Sequence, residues 1–190
     1  MVDGASSLMT SIYGGRASGR LAGPRGTNVT DSGAYFYEVY ECADGRYVSV
    51  AAIEAKFHAD LLRLLEIDPA TLPPQMDRSH WPAVKARLAE RFRSRTRDEW
   101  CALLEGTDAC FAPVLSMEEA PDHPHNRARN VFVEVDGVPQ PGPAPRFSRT
   151  PLAAPTPPEP PGAADLRAVL AGWGIGATEV ETAQGIGFLA

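Results

Sequence analysis

Two β-prone runs joined by an Asp-Gly turn, with a helical pattern directly behind them, constrain this chain more than any other feature. The runs are Tyr35-Phe36-Tyr37-Glu38-Val39-Tyr40-Glu41-Cys42 and Tyr47-Val48-Ser49-Val50-Ala51-Ala52-Ile53, and the turn is Ala43-Asp44-Gly45-Arg46. Aromatic and β-branched residues on both sides of Asp-Gly specify a hairpin. Residues 56–65 then set Phe57, Leu61, Leu64 and Leu65 on one face of a helix. The pattern implies an α/β unit with Glu54 at the strand-to-helix junction.

Further elements follow on both sides. Residues 3–13 carry Ala5, Leu8, Met9 and Ile12 at helical spacing with Asp3 as N-cap, and residues 14–33 read as a Gly-, Arg- and Ser-rich connecting loop. Helices are expected over residues 81–93, with Pro82 in the first turn, and over 96–105, where Thr96 and Glu99 have capping-box spacing. Phe111-Ala112-Pro113-Val114-Leu115 reads as an edge strand and Ser116-Met117-Glu118-Glu119-Ala120 as a short capped helix. Prolines dominate residues 138–162 and predict an extended arm. A last helix over 164–173 and a Gly-rich tail complete the chain.

Composition narrows the partners. With 190 residues, 44% hydrophobic and 22% charged, the chain has the make-up of a globular domain, and it holds no apolar run of the ~18 residues that a membrane helix needs. A net charge of −6 argues against a phosphate-backbone partner, which demands clustered Lys and Arg. Three cysteines, Cys42, Cys101 and Cys110, with no C-x-x-C pair, match the usage of reduced cytoplasmic proteins. The first residues carry an acid and no basic run, so no signal peptide is expected.

Few residues carry chemistry by their pattern. The histidines His58, His80, His123 and His125 do not supply the three or four converging ligands of a zinc site, and no metal is expected. Cys101 lies beside Trp100 in a predicted helix, where a thiol behaves as a small hydrophobe, and Cys110 has no histidine assignable to it. Glu54 follows an apolar run and precedes a helix. That position suits either a carboxylate desolvated for proton transfer or an acid interacting with a helix N-terminus.

Several strings together resemble the alpha-methylacyl-CoA racemases of the family III CoA-transferase group. They are Tyr47-Val48-Ser49-Val50-Ala51-Ala52-Ile53-Glu54-Ala55-Lys56-Phe57, Ser94-Arg95-Thr96-Arg97-Asp98-Glu99-Trp100, Gly106-Thr107-Asp108-Ala109-Cys110-Phe111-Ala112-Pro113-Val114-Leu115 and Pro143-Ala144-Pro145-Arg146-Phe147-Ser148-Arg149-Thr150-Pro151. The resemblance implies a large Rossmann-like domain and a small mixed α/β domain joined by long linkers, with two chains interlocked as rings. On it, residues 1–37 are a helix and first linker, 38–121 the small domain and 122–143 a return linker. Residues 144–190 are then a Pro-rich arm and helix belonging to the large domain.

The activity it implies is interconversion of (R)- and (S)-2-methylacyl-CoA thioesters by removal and return of the α-proton. This needs two acid/base groups and a stabilised enolate. In the racemases an Asp and a His paired with a Glu do this, and the Glu of the Ile-Glu-x-x-Phe string corresponds to Glu54, supplied by one subunit to the other's site. Tyr37 and Ile53 match residues of the wall that accepts the acyl chain. CoA is part of the substrate and no resident cofactor is implied. The Asp, the His and the CoA-binding elements are expected in a half preceding Met1, so this chain alone is expected to be inactive.

Other readings accompany this one. A family III transferase would pass CoA between carboxylic acids through a carboxylate nucleophile, but such enzymes tend to carry a glycine-rich loop near the hairpin, and Ala51-Ala52-Ile53-Glu54-Ala55 has no glycine. A truncated remnant or a non-catalytic dimerisation module is the third. The stretch Asn28-Val29-Thr30-Asp31-Ser32-Gly33-Ala34-Tyr35-Phe36-Tyr37 stands where the family usually reads Asn-x-Leu-Asp-Gly-Gly-Ala-Pro-Phe-Tyr. Ser32 thus replaces a residue free to take positive φ, and Tyr35 replaces one with fixed φ.

Overall fold

A computed structural model of the chain describes residues 1–158, 160 and 166–186. The chain forms two compact units, residues 1–116 and 117–190. The class is mixed α/β, as the sequence implies.

The first unit is organised by the hairpin. Strands β1 (Tyr37–Glu41) and β2 (Tyr47–Ala51) pair antiparallel from Tyr37 opposite Ala51 to Glu41 opposite Tyr47. Gly45 takes the positive φ of 73° that closes the turn. Asp44 accepts from the backbone amides of Arg46 and Arg97, tying the turn to a later helix. Strand β3 (Phe111–Val114) adds to the free edge of β2, so the order is β1-β2-β3, and Pro113, which has no amide to donate, is tolerated on that edge.

Helices α3 (Ala55–Leu64), α4 (Trp81–Phe92) and α5 (Arg97–Leu104) form within a residue or two of their expected places. The box at α5 is complete, with Thr96 and Glu99 each capping the other's backbone amide. Tyr40, Val48 and Val50 from one face of the sheet join Leu61, Leu65, Leu88, Phe92, Trp100 and Leu104 in a single core. Along it Tyr40 stacks on Phe92 at 4.9 Å, and Phe92 meets Trp100 at 5.2 Å. The opposite face of the sheet is open: Val39 and Tyr47 are 49% and 45% exposed.

The N-terminal segment differs from expectation. Two helices, α1 (Val2–Leu8) and α2 (Thr10–Ala17), meet at Met9, and Asp3 sits in the first turn, while Met1 is the N-cap. The Thr10 hydroxyl donates to the Ser7 carbonyl at 2.7 Å, a local bond that competes with the helical ladder at the break. Helix α2 runs through Gly14 and Gly15, where the loop was expected to begin. The Leu21 side chain lies close over Gly15: its Cδ1 would come 2.8 Å from a Cβ there.

The loop before β1 is held by side chains. Asp31 accepts from the backbone and side-chain amides of Asn28, which hold its carboxyl below the usual carboxylate range. A Cβ at Gly33 would meet the Asn28 carbonyl oxygen at 2.4 Å, so only glycine fits. Ser32 adopts φ 71°, the left-handed conformation that glycine takes without cost. Lys85 holds this turn, donating to the Ser32 carbonyl and, at 2.5 Å, to the Glu38 carboxylate. Because the Ser32 side chain is exposed, Ser32→Gly removes strain and loses little. Gain in unfolded-chain entropy offsets part of the relief, and the variant is expected to be more stable by ~0.5–1 kcal/mol, read as a thermal midpoint higher by roughly 2–4 °C.

Residues 116–120 do not form the expected helix; in the second unit a 3-10 turn at Ala120–Asp122 precedes α6 (Pro124–Ala128). Strands β4 (Phe132–Val135) and β5 (Val138–Pro141) make a second hairpin across Asp136 and Gly137, both at positive φ. Beyond it the chain has neither helix nor strand to residue 158, and it bends at residues 144–145 and 148–150. Two helices close the described chain, α7 (Leu166–Gly172) and α8 (Ala177–Gly185). The expected start of the former at residue 164 lies outside the described residues. The expected Gly-rich tail instead forms α8, with Glu179 accepting from the Gly176 amide. No helix among the described residues is long and apolar enough to cross a membrane.

Candidate functional site

Glu54 sits where β2 gives way to α3. Strand pairing ends at Ala51, the Ile53 amide turns back to the Ala51 carbonyl at 2.9 Å, and the Glu54 carbonyl accepts the His58 amide at 2.9 Å to begin the helix. Glu54 is therefore the N-cap by backbone, with φ −71° and ψ 138°, yet its side chain makes no capping bond. Its extra methylene sets the carboxylate beyond the reach that favours Ser, Thr, Asp and Asn at this position. The carboxylate is exposed and makes no hydrogen bond or ion pair among the described residues. The desolvated setting, one of the two that the sequence position suits, is not provided by this unit.

Two neighbours shape the junction. Gln75, from the loop between α3 and α4, donates its side-chain amide to the carbonyls of Ala52 at 3.1 Å and Ile53 at 2.9 Å. The Trp81 indole in turn donates to the Gln75 carbonyl at 2.8 Å. One turn along α3, His58 shares a 2.8 Å hydrogen bond with the Tyr35 hydroxyl. Burial lowers the His58 pKa, favouring the neutral ring, and pushes the Tyr35 phenol up to about 12. Tyr35, one of the departures from the family string, therefore fills a buried place with its hydroxyl satisfied.

Tyr37 and Ile53 flank the same corner. Tyr37 stands opposite Ala51, two residues before Ile53, and both pack against the core while remaining partly exposed. Tyr37 also lines an open groove of about 230 Å³ on the uncovered sheet face with Thr30, Val39 and Ser49; neither Ile53 nor Glu54 forms part of its wall.

The other candidates are occupied elsewhere. Burial first, then the charges of Glu54 and Asp108, raises the Cys110 pKa, and burial pushes Cys42 and Cys101 up to about 11. Each of these shifts favours the thiol over the nucleophilic thiolate. His80 bonds Asp77 and Ser79, and His123 is the backbone N-cap of α6. Among the described residues no three His, Cys, Asp or Glu side chains cluster as a metal site. Gln75 was missed by sequence reasoning. It lies in an irregular loop 22 residues from Ile53, and no local pattern marks such a contact.

Comparison with known proteins decides the family. The model of the CoA-transferase family III matches residues 1–165. The chain belongs to this family. Within the family group, it is 44% identical over 153 residues to the alpha-methylacyl-CoA racemase of Mus musculus, covering 80% of this chain and 40% of the mouse protein. It is 38% identical over 162 residues to that of Homo sapiens, covering 80% of this chain and 42% of the human one. The chain thus spans about two-fifths of the length of these relatives. The crystal structure of Rv3272 from M. tuberculosis shares the fold, with TM-score 0.53 and 17% identity over 64% of this chain and 37% of that one.

Proposed function

We propose that this chain is the Glu-bearing part of a racemase that interconverts (R)- and (S)-2-methylacyl-CoA thioesters. The observation that carries the reading is Glu54: in a chain 44% identical to a racemase, its carboxylate stands at the strand-to-helix corner uncommitted to the cap it occupies. A carboxylate that the fold does not use is available to a second surface. In the reaction a base takes the α-proton, the thioester carbonyl accepts the electron pair as an enolate, and an acid returns a proton to the opposite face. Glu54 pairs with the imidazole of one such group, orienting it and stabilising its charged form, while Tyr37 and Ile53 offer apolar surface to the acyl chain.

The reading includes interlocked homodimers, an acyl-CoA as the one small-molecule partner and no resident cofactor. Residues 38–121 act as the small domain, and residues 144–190 belong with the large one. A net charge of −6 supports the absence of a nucleic-acid partner, and three free cysteines support a cytoplasmic setting.

The test compares this chain alone with a fusion that places, ahead of it, the part of the mouse relative it does not cover. Deuterium uptake at the α-carbon of a 2-methylacyl-CoA is followed in D₂O, with a free carboxylic acid present as CoA acceptor. Uptake from both enantiomers by the fusion and none by the chain alone is expected. Uptake by the chain alone would overturn the composite site. CoA transfer without epimerisation would establish the transferase alternative, and neither reaction would leave a non-catalytic remnant or dimerisation module.

A further inference from the structure

We infer that Gln75 is a positioning residue for Glu54, an inference that rests on the proton-handling role proposed for that carboxylate. Ladder pairing with β1 ends at Ala51, and helical bonding begins with the Glu54 carbonyl. The peptide carbonyls of Ala52 and Ile53 fall between the two systems. They immediately precede Glu54, and both are held by one donor, the Gln75 side-chain amide, at 3.1 and 2.9 Å. A primary amide nitrogen carries two protons, so a single group satisfies both carbonyls and fixes the angle between the two peptide planes. The second of these planes carries the Glu54 nitrogen and Cα, so holding it anchors the backbone from which the Glu54 side chain departs.

The clamp is itself anchored. The Gln75 carbonyl accepts from the indole of Trp81, which is only 3% exposed and meets Phe36 edge-on at 5.8 Å. Phe36 directly precedes Tyr37. One chain of contacts therefore runs from the strand bearing Tyr37, through Phe36, Trp81 and Gln75, to the peptide groups before Glu54. It fixes the carboxylate-bearing corner relative to the apolar residue beside it. Glu54 receives no side-chain restraint of its own, so its aim depends on the backbone beneath it, and a misplacement near 1 Å is enough to cost ~100-fold in turnover.

Two variants separate the hydrogen bonds from packing: Gln75→Ala removes both, and Gln75→Met keeps the volume but not the donors. In the 190-residue chain, residue-resolved amide exchange is expected to accelerate ~10-fold or more at Ile53 and His58 in both variants, with Val48, Val50 and Leu65 near wild type. Equal acceleration at every protected amide would mark a general loss of stability, and wild-type exchange at Ile53 in Gln75→Met would mean that packing alone holds the corner. Either result overturns the inference.

In the fused enzyme, both variants are expected to lower kcat by ~10–100-fold with KM within about threefold. Glu54→Gln, measured beside them, separates the two ideas. Full activity in Glu54→Gln would remove the reading on which this one rests. Impaired Glu54→Gln with fully active Gln75 variants would overturn the positioning role alone.

Discussion

Glu54→Gln in the fused enzyme is expected to cut the rate of α-proton exchange by roughly 10²–10⁴-fold, because the imidazole that Glu54 orients and charges is the acid/base group whose contribution spans that range. The substitution is nearly isosteric, and the wild-type carboxylate makes no bond that holds the fold, since it neither caps α3 nor enters an ion pair among the described residues. Stability is therefore expected to stay within about 0.5 kcal/mol of wild type. The amide retains the polarity and reach of the side chain, so KM for the CoA thioester should move little while kcat falls. A large loss of substrate affinity at unchanged kcat would assign Glu54 to binding. Equal rates in the two proteins would remove it from the mechanism.

What the chain disclosed without coordinates follows from how locally each feature is encoded. The β1–β2 turn rests on Asp44 and Gly45, and α5 on Thr96 and Glu99, devices complete within a few residues, and both form where their sequences place them. The same local device is present at Asp136 and Gly137, where the flanking apolar residues Phe132, Val133, Val135 and Val138 stand beside prolines at 139 and 141. Those prolines are compatible with a two-stranded ribbon, where each strand has a free edge. Gly14-Gly15 reads as a helix breaker in sequence, yet α2 continues through both, and the Leu21 side chain lies close over Gly15.

The candidate site was legible by position and not by environment. Its residue Glu54 lies at a junction that periodicity alone locates, whereas the direction of its carboxylate depends on peptide groups held by Gln75 from a separate loop. The departures in the family string resolved differently from one another. Tyr35 is accommodated by a partner, His58, while Ser32 keeps a glycine's backbone and is held there by Lys85. A side chain can be replaced by finding it a partner; a backbone conformation is set by the turn and passes unchanged to whatever residue occupies it.

Trp100→Ala is expected to be the most damaging single change to the first unit. The side chain is fully buried, packs against Phe92 at 5.2 Å and lies under the guanidinium groups of Arg91 and Arg95 at 5.6 and 5.2 Å. Its indole also donates to the Phe92 carbonyl at 2.8 Å, near the end of α4. Truncation removes the transfer energy of a large ring, leaves a cavity between α4 and α5, and strips that carbonyl of a donor. Large-to-small changes of this kind cost ~3–5 kcal/mol, a large part of the ~5–15 kcal/mol that holds a typical domain together. Denaturant unfolding should show the loss as a lower midpoint. Trp173→Ala is the control, because that ring is 77% exposed and its removal should change stability by less than about 0.5 kcal/mol. Trp100→Phe keeps part of the ring contact and loses the indole donor, and should fall between the two. A Trp100→Ala protein as stable as the control would mean that the aromatic row of Tyr40, Phe92 and Trp100 is not the core on which the sheet and helices of this unit depend.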